Sequence, residues 1–234
     1  MSFLNTIQNS ILNIIFPVKC LVCGKSGSDF CSDCLGDCPF AERETVKWIF
    51  PVYDYRHPPI KKALWLLKYN GKKRFAKIFA EILYEKIIEE LSDLIMMENF
   101  TNIILIPIPL SKKRYRERGY NQAELICREL IKINNLRSAD AKALADKHGV
   151  DMKLEKDILI KIKETKHQAR IGNRRERLLN IIGSFAIKNE KLSFSKNNII
   201  LIDDITTTSA TLNEARKVLK QNGAKKVIAF TVAH

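Results

Sequence analysis

Residues 199–211 read Ile199-Ile200-Leu201-Ile202-Asp203-Asp204-Ile205-Thr206-Thr207-Thr208-Ser209-Ala210-Thr211. Four large aliphatic residues in a row suit a strand buried on both faces of a parallel sheet. The strand ends in two carboxylates, and small hydroxylated residues then open a helix. In doubly wound sheets ligands bind outside the carboxyl ends of the strands. A helix N-terminus offers backbone N–H groups and a favourable dipole to an anion. Thr and Ser add hydroxyl donors with little bulk. Capping the helix needs one such residue. It does not account for two acids followed by five small residues, Thr207, Thr208, Ser209, Ala210 and Thr211. The segment is a candidate anion site.

Outward from this segment, strands and helices alternate. Ser209–Asn222 reads as a helix with Gly223 at its C′ position, and Val227–Val232 as a last strand. Upstream lie a buried strand, Asn102–Ile108, a basic loop, Lys112–Gly119, and a helix, Asn121–Ile133. Ile158–Ile162 and Phe185–Ile187 are short strand candidates, and Leu144–Asp157 has no clear pattern. Val46–Tyr55 reads as a strand that Pro51 assigns to an edge or bulge. A helix starts at Pro58-Pro59, Tyr69-Asn70-Gly71 makes a turn, and a longer helix covers Arg74–Leu91. The pattern predicts an α/β fold, a parallel sheet flanked by helices. Residues 1–45 form a separate small unit, too poor in apolar residues after its first helix to hold a core, and 46–234 form the main domain.

The acid-and-hydroxyl segment resembles the signature of type I phosphoribosyltransferases. That resemblance implies that Asp203 and Asp204 hold the ribose hydroxyls and that Thr207 to Thr211 cradle the 5-phosphate. It extends over nearly the whole chain to the ComF competence family. The matching pieces are the N-terminal cysteine knuckles at Cys20-x2-Cys23 and Cys31-x2-Cys34, Leu67-Lys68-Tyr69 before Gly71, Ile106-Pro107-Ile108-Pro109-Leu110, and Arg116-Glu117-Arg118-Gly119-Tyr120-Asn121-Gln122. Thr165-x2-Gln168 and Arg177-x2-Asn180 with Phe185 follow in order. The resemblance implies binding of 5-phosphoribosyl-1-pyrophosphate with magnesium and displacement of pyrophosphate from the anomeric carbon by an unidentified acceptor, a reaction of nucleoside metabolism. It also implies a role in natural transformation, with single-stranded DNA and the competence helicase or transport proteins as partners. A non-catalytic ligand-sensing or scaffold protein is the rival reading. At position 209 the family signature usually has Gly. Read as part of the first helical turn, Ser209 fits without strain.

Two basic segments fit an anionic ligand. The resemblance places a pyrophosphate-binding loop at Lys112, Lys113, Arg114, Arg116 and Arg118, with Lys112 and Arg118 the leading candidates. Arg170, Arg174 and Arg177 share one helical face beside Arg175. These could close as a lid, contact nucleic acid or form plain surface. The whole chain has 40 Lys and Arg against 26 Asp and Glu, a net charge of +14. That balance favours phosphate-rich metabolites, nucleic acid or acidic lipid as partners without choosing among them.

Five of the six cysteines fall between Cys20 and Cys38. Cys20-x2-Cys23 and Cys31-x2-Cys34 are separated by seven residues. Two such knuckles supply the four thiolates of a tetrahedral zinc site. Disulfides and free thiols are the weaker readings. Cys38 is a fifth candidate that could replace Cys34, or a small buried residue. Cys127 stands alone as a core residue. Met1–Pro17 carries apolar residues at near-helical spacing and no Lys or Arg, which fits an amphipathic helix on the body, or on a membrane surface or partner, and not a signal peptide. No apolar run reaches the roughly 20 residues of a membrane span, so the expected location is the cytoplasm.

Overall fold

The computed structural model describes residues 17–42, 46–143, 150–164, 180–188 and 197–234. The helix expected over 1–17 lies, apart from Pro17, outside the described residues. So do Thr165, Gln168, Arg170, Arg174, Arg175 and Arg177.

In chain order the elements are α1 (Ser32–Gly36), β1 (Ile49–Tyr53), α2 (Pro58–Tyr69), α3 (Phe75–Glu98), β2 (Ile103–Pro107) and α4 (Lys112–Arg118). Then come α5 (Gln122–Ala143), β3 (Met152–Leu154), β4 (Leu159–Lys161), β5 (Phe185–Ile187), β6 (Asn198–Ile205), α6 (Ala210–Gln221) and β7 (Lys226–Ala233). Five strands form one parallel sheet in the order β1-β7-β6-β2-β3. Pro51 sits on edge strand β1, where its missing N–H costs no ladder bond on the open side. β4 and β5 form a separate antiparallel pair.

The aliphatic run of β6 is buried on both faces because successive side chains point to opposite sides. Ile200 and Ile202 join one apolar cluster with Phe79, Leu83 and Ile87 of α3 and Ile126 and Leu130 of α5. Ile199 and Leu201 join the other with Leu212, Ala215 and Leu219 of α6 and with Leu159 and Phe185 of the β4–β5 pair. β7 divides the same way, Ile228, Phe230 and Val232 against Val227 and Ala229. Each such buried aliphatic side chain stabilises the fold by about 1.5–3 kcal/mol. The expected α/β class, a parallel sheet covered on both faces, is the observed one.

Four local expectations change. Residues 112–118 form a helix and not a loop: the Ser111 hydroxyl accepts the Arg114 N–H, and Gly119 ends the helix at φ 79°. Ser209 is not in the first helical turn. It is the N-cap of α6 in the left-handed region, φ 54° and ψ 1°, because the chain turns sharply from β6 into α6. Helices α3 and α5 run beyond Leu91 and Ile133, to Glu98 and Ala143. The stretch without a clear pattern supplies β3, which pairs with β2 at the sheet edge.

Residues 17–42 fold against the same body. Cys20, Phe30 and Cys38 belong to the apolar cluster of α2 and α3. Phe40 stacks on Tyr53 with ring centroids 5.8 Å apart. Arg74 pairs with Asp29 at 3.2 Å. No helix of the described residues is long and apolar enough to cross a membrane.

Candidate functional site

Asp203 and Asp204 lie at the carboxyl end of β6, where the sheet opens into a cavity of 390 Å³. The cavity gathers residues from distant parts of the chain. Asp203, Asp204, Thr207 and Thr211 form one side. Arg114 and Arg118 of α4 and Lys161 of β4 bring positive charge. Trp65 and Tyr69 of α2 supply an aromatic wall, about half exposed at 51% and 53%. Thr208, Ser209 and Ala210 complete the loop without lining the cavity.

The loop has the marks of an anion site. The Thr206 and Thr208 hydroxyl oxygens are buried and find no hydrogen-bond partner among the described residues. Leaving a buried hydroxyl unpaired costs about 1–3 kcal/mol. The first-turn N–H groups of α6 have no helical carbonyl to bind, and the α6 dipole favours negative charge there. Ser209 has its carbonyl bound by the Asn213 N–H at 2.8 Å.

The two acids are unequal. Asp204 is buried, and its carboxylate meets the Lys68 ammonium and accepts a 3.2 Å hydrogen bond from the Gln122 side chain. Burial works against its charge, but the Lys68 charge and the hydrogen bonds with Asp203, Lys68 and Gln122 together outweigh it and hold Asp204 below the usual carboxylate range. Asp203 accepts the Asp204 N–H at 2.9 Å. Burial, and then the adjacent Asp204 charge, push Asp203 well above that range. One acid is thus held ionised and the other favours its proton, the usual division between two close carboxyls.

The segment Arg118-Gly119-Tyr120-Asn121-Gln122 builds this arrangement. The Tyr120 hydroxyl donates to the Leu67 carbonyl and ties the end of α2 to the start of α5. The Asn121 side chain donates to the Ile108 carbonyl at 2.9 Å and accepts the Ala123 N–H at 3.0 Å, fixing α5 to the end of β2. Gln122 accepts from Arg118 while it donates to Asp204. Arg118 also lies over the Tyr69 ring at 5.2 Å.

Of the expected pyrophosphate residues, Arg118 lines the cavity, whereas Lys112 is exposed on α4 and does not. Arg170 and Arg177 lie outside the described residues. Arg114, named in the expected pyrophosphate segment but not as a leading candidate, also lines the cavity, whereas Lys68, Gln122 and Lys161 had no role assigned from sequence. Burial, and then the neighbouring Arg114, bring Lys161 down to about 8 from 10.5.

The sulfurs of Cys20, Cys23, Cys31 and Cys34 all lie within 4.8 Å of one another, and Cys23 and Cys31 are 3.7 Å apart. Metal–sulfur bonds of about 2.3 Å give a tetrahedron with edges of about 3.8 Å, so the cluster fits a metal ion. Cys38 is outside it and donates to the Cys34 carbonyl at 3.2 Å. The cluster therefore keeps Cys34 as the fourth thiol. Among the described residues this is the only grouping of three or more His, Cys, Asp or Glu suited to a metal.

No family model matches the sequence. It is 31% identical over 165 residues to competence protein ComFC of Streptococcus pneumoniae, covering 70% of this chain and 59% of that protein. It is 28% identical over 129 residues to competence protein F of Haemophilus influenzae, covering 55% of this chain and 49% of that protein. The chain thus spans about half to three fifths of the length of these relatives. A hypoxanthine phosphoribosyltransferase from Staphylococcus aureus superposes with a TM-score of 0.35 at 8% identity, over 68% of this chain and 62% of that one. The chain is a homologue of the competence proteins ComF and ComFC.

Proposed function

We propose that the cavity binds 5-phosphoribosyl-1-pyrophosphate or a related ribose phosphate. The observation that carries the reading is the joining, in one cavity, of an acid pair, a hydroxyl-lined helix start and four cations, Lys68, Arg114, Arg118 and Lys161. Asp203 and Asp204 take the vicinal diol of the ribose. The loop from Thr207 to Thr211 takes the 5-phosphate. Arg114, Arg118 and Lys161 face the pyrophosphate and would stabilise its charge as it leaves. Lys112, exposed on α4, is not assigned to this task.

Asp204 is already engaged by Lys68 and Gln122, so the acid pair is no dedicated magnesium cage. Magnesium fits as a companion of the substrate oxygens, keeping several waters. Bound there, it would neutralise pyrophosphate charge. An acceptor with a planar ring would find a flat surface on Trp65 and Tyr69. A metal held by the four-cysteine cluster would be structural zinc, which suits a closed set of four thiolates. Thiols kept for metal fit a reducing compartment such as the cytoplasm.

The competence names of the relatives favour a second reading of the same site. In it the ribose phosphate is a signal, and the protein serves DNA uptake as a scaffold for single-stranded DNA or its helicase and transport proteins. Pyrophosphate release on addition of candidate acceptors separates the two. The binding site itself is tested by thermal denaturation. A ligand at 100 times its Kd stabilises by about 2.7 kcal/mol, which raises Tm by roughly 5–10 °C in a chain of this size. Absence of any shift with millimolar phosphoribosyl pyrophosphate and magnesium would reject the proposal.

A further inference from the structure

Two adjacent carboxylates at the end of a buried strand commonly attract a divalent cation, since hard oxygen ligands suit magnesium and manganese. Here a third group stands between them and that fate. Lys68 reaches from the last turn of α2 to the buried Oδ2 of Asp204, and its side chain is only 17% exposed. Gln122 of α5 donates to the other oxygen. The lysine itself lines the cavity. Its position is held from behind, because the Tyr120 hydroxyl fixes the adjacent Leu67 carbonyl.

We propose that Lys68 and Asp204 act as one neutral donor–acceptor pair that reads a sugar hydroxyl, and that Lys68 keeps the acid pair from binding a bare divalent cation. This rests on the ribose-phosphate reading of the cavity. An ammonium carries three donors and no acceptor, and an ionised carboxylate accepts only. Asp204 occupies one donor of Lys68 and leaves the others for a ligand oxygen. A hydroxyl both donates and accepts, so it satisfies the two groups together. A hydrogen atom in its place leaves both partly unpaired. A bare cation meets the Lys68 charge at close range, in a cavity that also holds Arg114, Arg118 and Lys161. The site therefore prefers ribose 5-phosphate to its 2-deoxy counterpart and leaves metal to arrive with the pyrophosphate.

The test uses the full chain with its cysteine cluster loaded, and the variants Lys68→Met, Lys68→Gln and Lys68→Arg. Two measurements are made on each folded variant. Manganese binding without any phosphosugar is read by electron paramagnetic resonance. Ribose 5-phosphate and 2-deoxyribose 5-phosphate are compared by calorimetry. In the parent, manganese should not bind at the acid pair, and the ribose ligand should bind about tenfold more tightly, one hydrogen bond's equivalent. In Lys68→Met and Lys68→Gln a manganese site should appear, removed again by Asp203→Asn. Their sugar preference should shrink to within about threefold. Lys68→Arg should keep the parent's behaviour on metal, which a merely structural lysine would not require. Manganese binding by the parent, or Met and Gln variants that exclude manganese and keep the sugar preference, would overturn the inference. If the parent binds neither sugar, the ribose reading of the cavity fails while the manganese result still judges Lys68.

Discussion

Replacing Ser209 by glycine should stabilise the protein, although it removes a hydroxyl next to a candidate phosphate site. Ser209 is at φ 54°, and a left-handed conformation costs an L-residue with a Cβ roughly 1–2 kcal/mol. Glycine avoids that cost, but its freer unfolded chain returns about 0.5–1 kcal/mol. The net gain is about 0.5–1 kcal/mol. In a chain of this size each kcal/mol moves Tm by roughly 2–4 °C, so the variant should melt about 1–4 °C higher in scanning calorimetry. Ser209→Ala is the control: it keeps the Cβ and the strain, loses the hydroxyl and should not gain stability. Ser209 does not line the cavity, so its change to glycine should alter ribose-phosphate affinity by less than about tenfold. A glycine variant that melts below the parent would refute the strain argument. So would an alanine variant as stabilised as the glycine one.

Metal analysis of protein purified without added zinc should give one zinc per chain. Cys34→Ser should lose it and Cys38→Ser should keep it, because the Cys38 thiol lies outside the four-sulfur cluster. Pyrophosphate affinity should fall as pH rises through about 8, where Lys161 loses its charge, and Lys161→Arg should abolish that limb of the titration. The same depressed value means that Lys161 should add to folding stability as pH climbs from about 8 towards 10.5, since the buried amine is then favoured neutral in the fold. Single-stranded DNA binding, if measured, should weaken steeply with salt. Reversing charge at Arg174 and Arg175 should reduce it, and an unchanged affinity would assign the contact to another surface.

Much of the fold was legible because its signals are local. Four aliphatic residues, two acids and a hydroxyl run sit side by side in β6 and its loop. The two cysteine knuckles are equally compact in sequence. The segment 112–118 reads as a loop in sequence because its run of charges masks the helical signal that Ser111 at its cap and Gly119 at its end carry. The partners of Asp204 were not readable. Gln122 is 82 residues away and Lys68 is further still, and only the packing of α2, α5 and β6 brings them together. Composition marks Lys68 as one more lysine on a basic chain. Its burial beside a carboxylate is a tertiary fact. The left-handed turn at Ser209 had a signal, the Gly usual at that position of the family signature, but a serine there also follows the local helix pattern, and the path from β6 to α6 decides for the turn.

In the proposed reading the acid pair and the hydroxyl loop form a ribose-phosphate site. Calorimetric titration of phosphoribosyl pyrophosphate with magnesium into the parent protein and into Asp203→Asn/Asp204→Asn tests it most directly. Each charged hydrogen bond lost should cost about 1.5–3 kcal/mol, so the parent should show saturable one-to-one binding and the variant none measurable, with both still folded. Equal binding by the two proteins, or no binding by the parent, would contradict it.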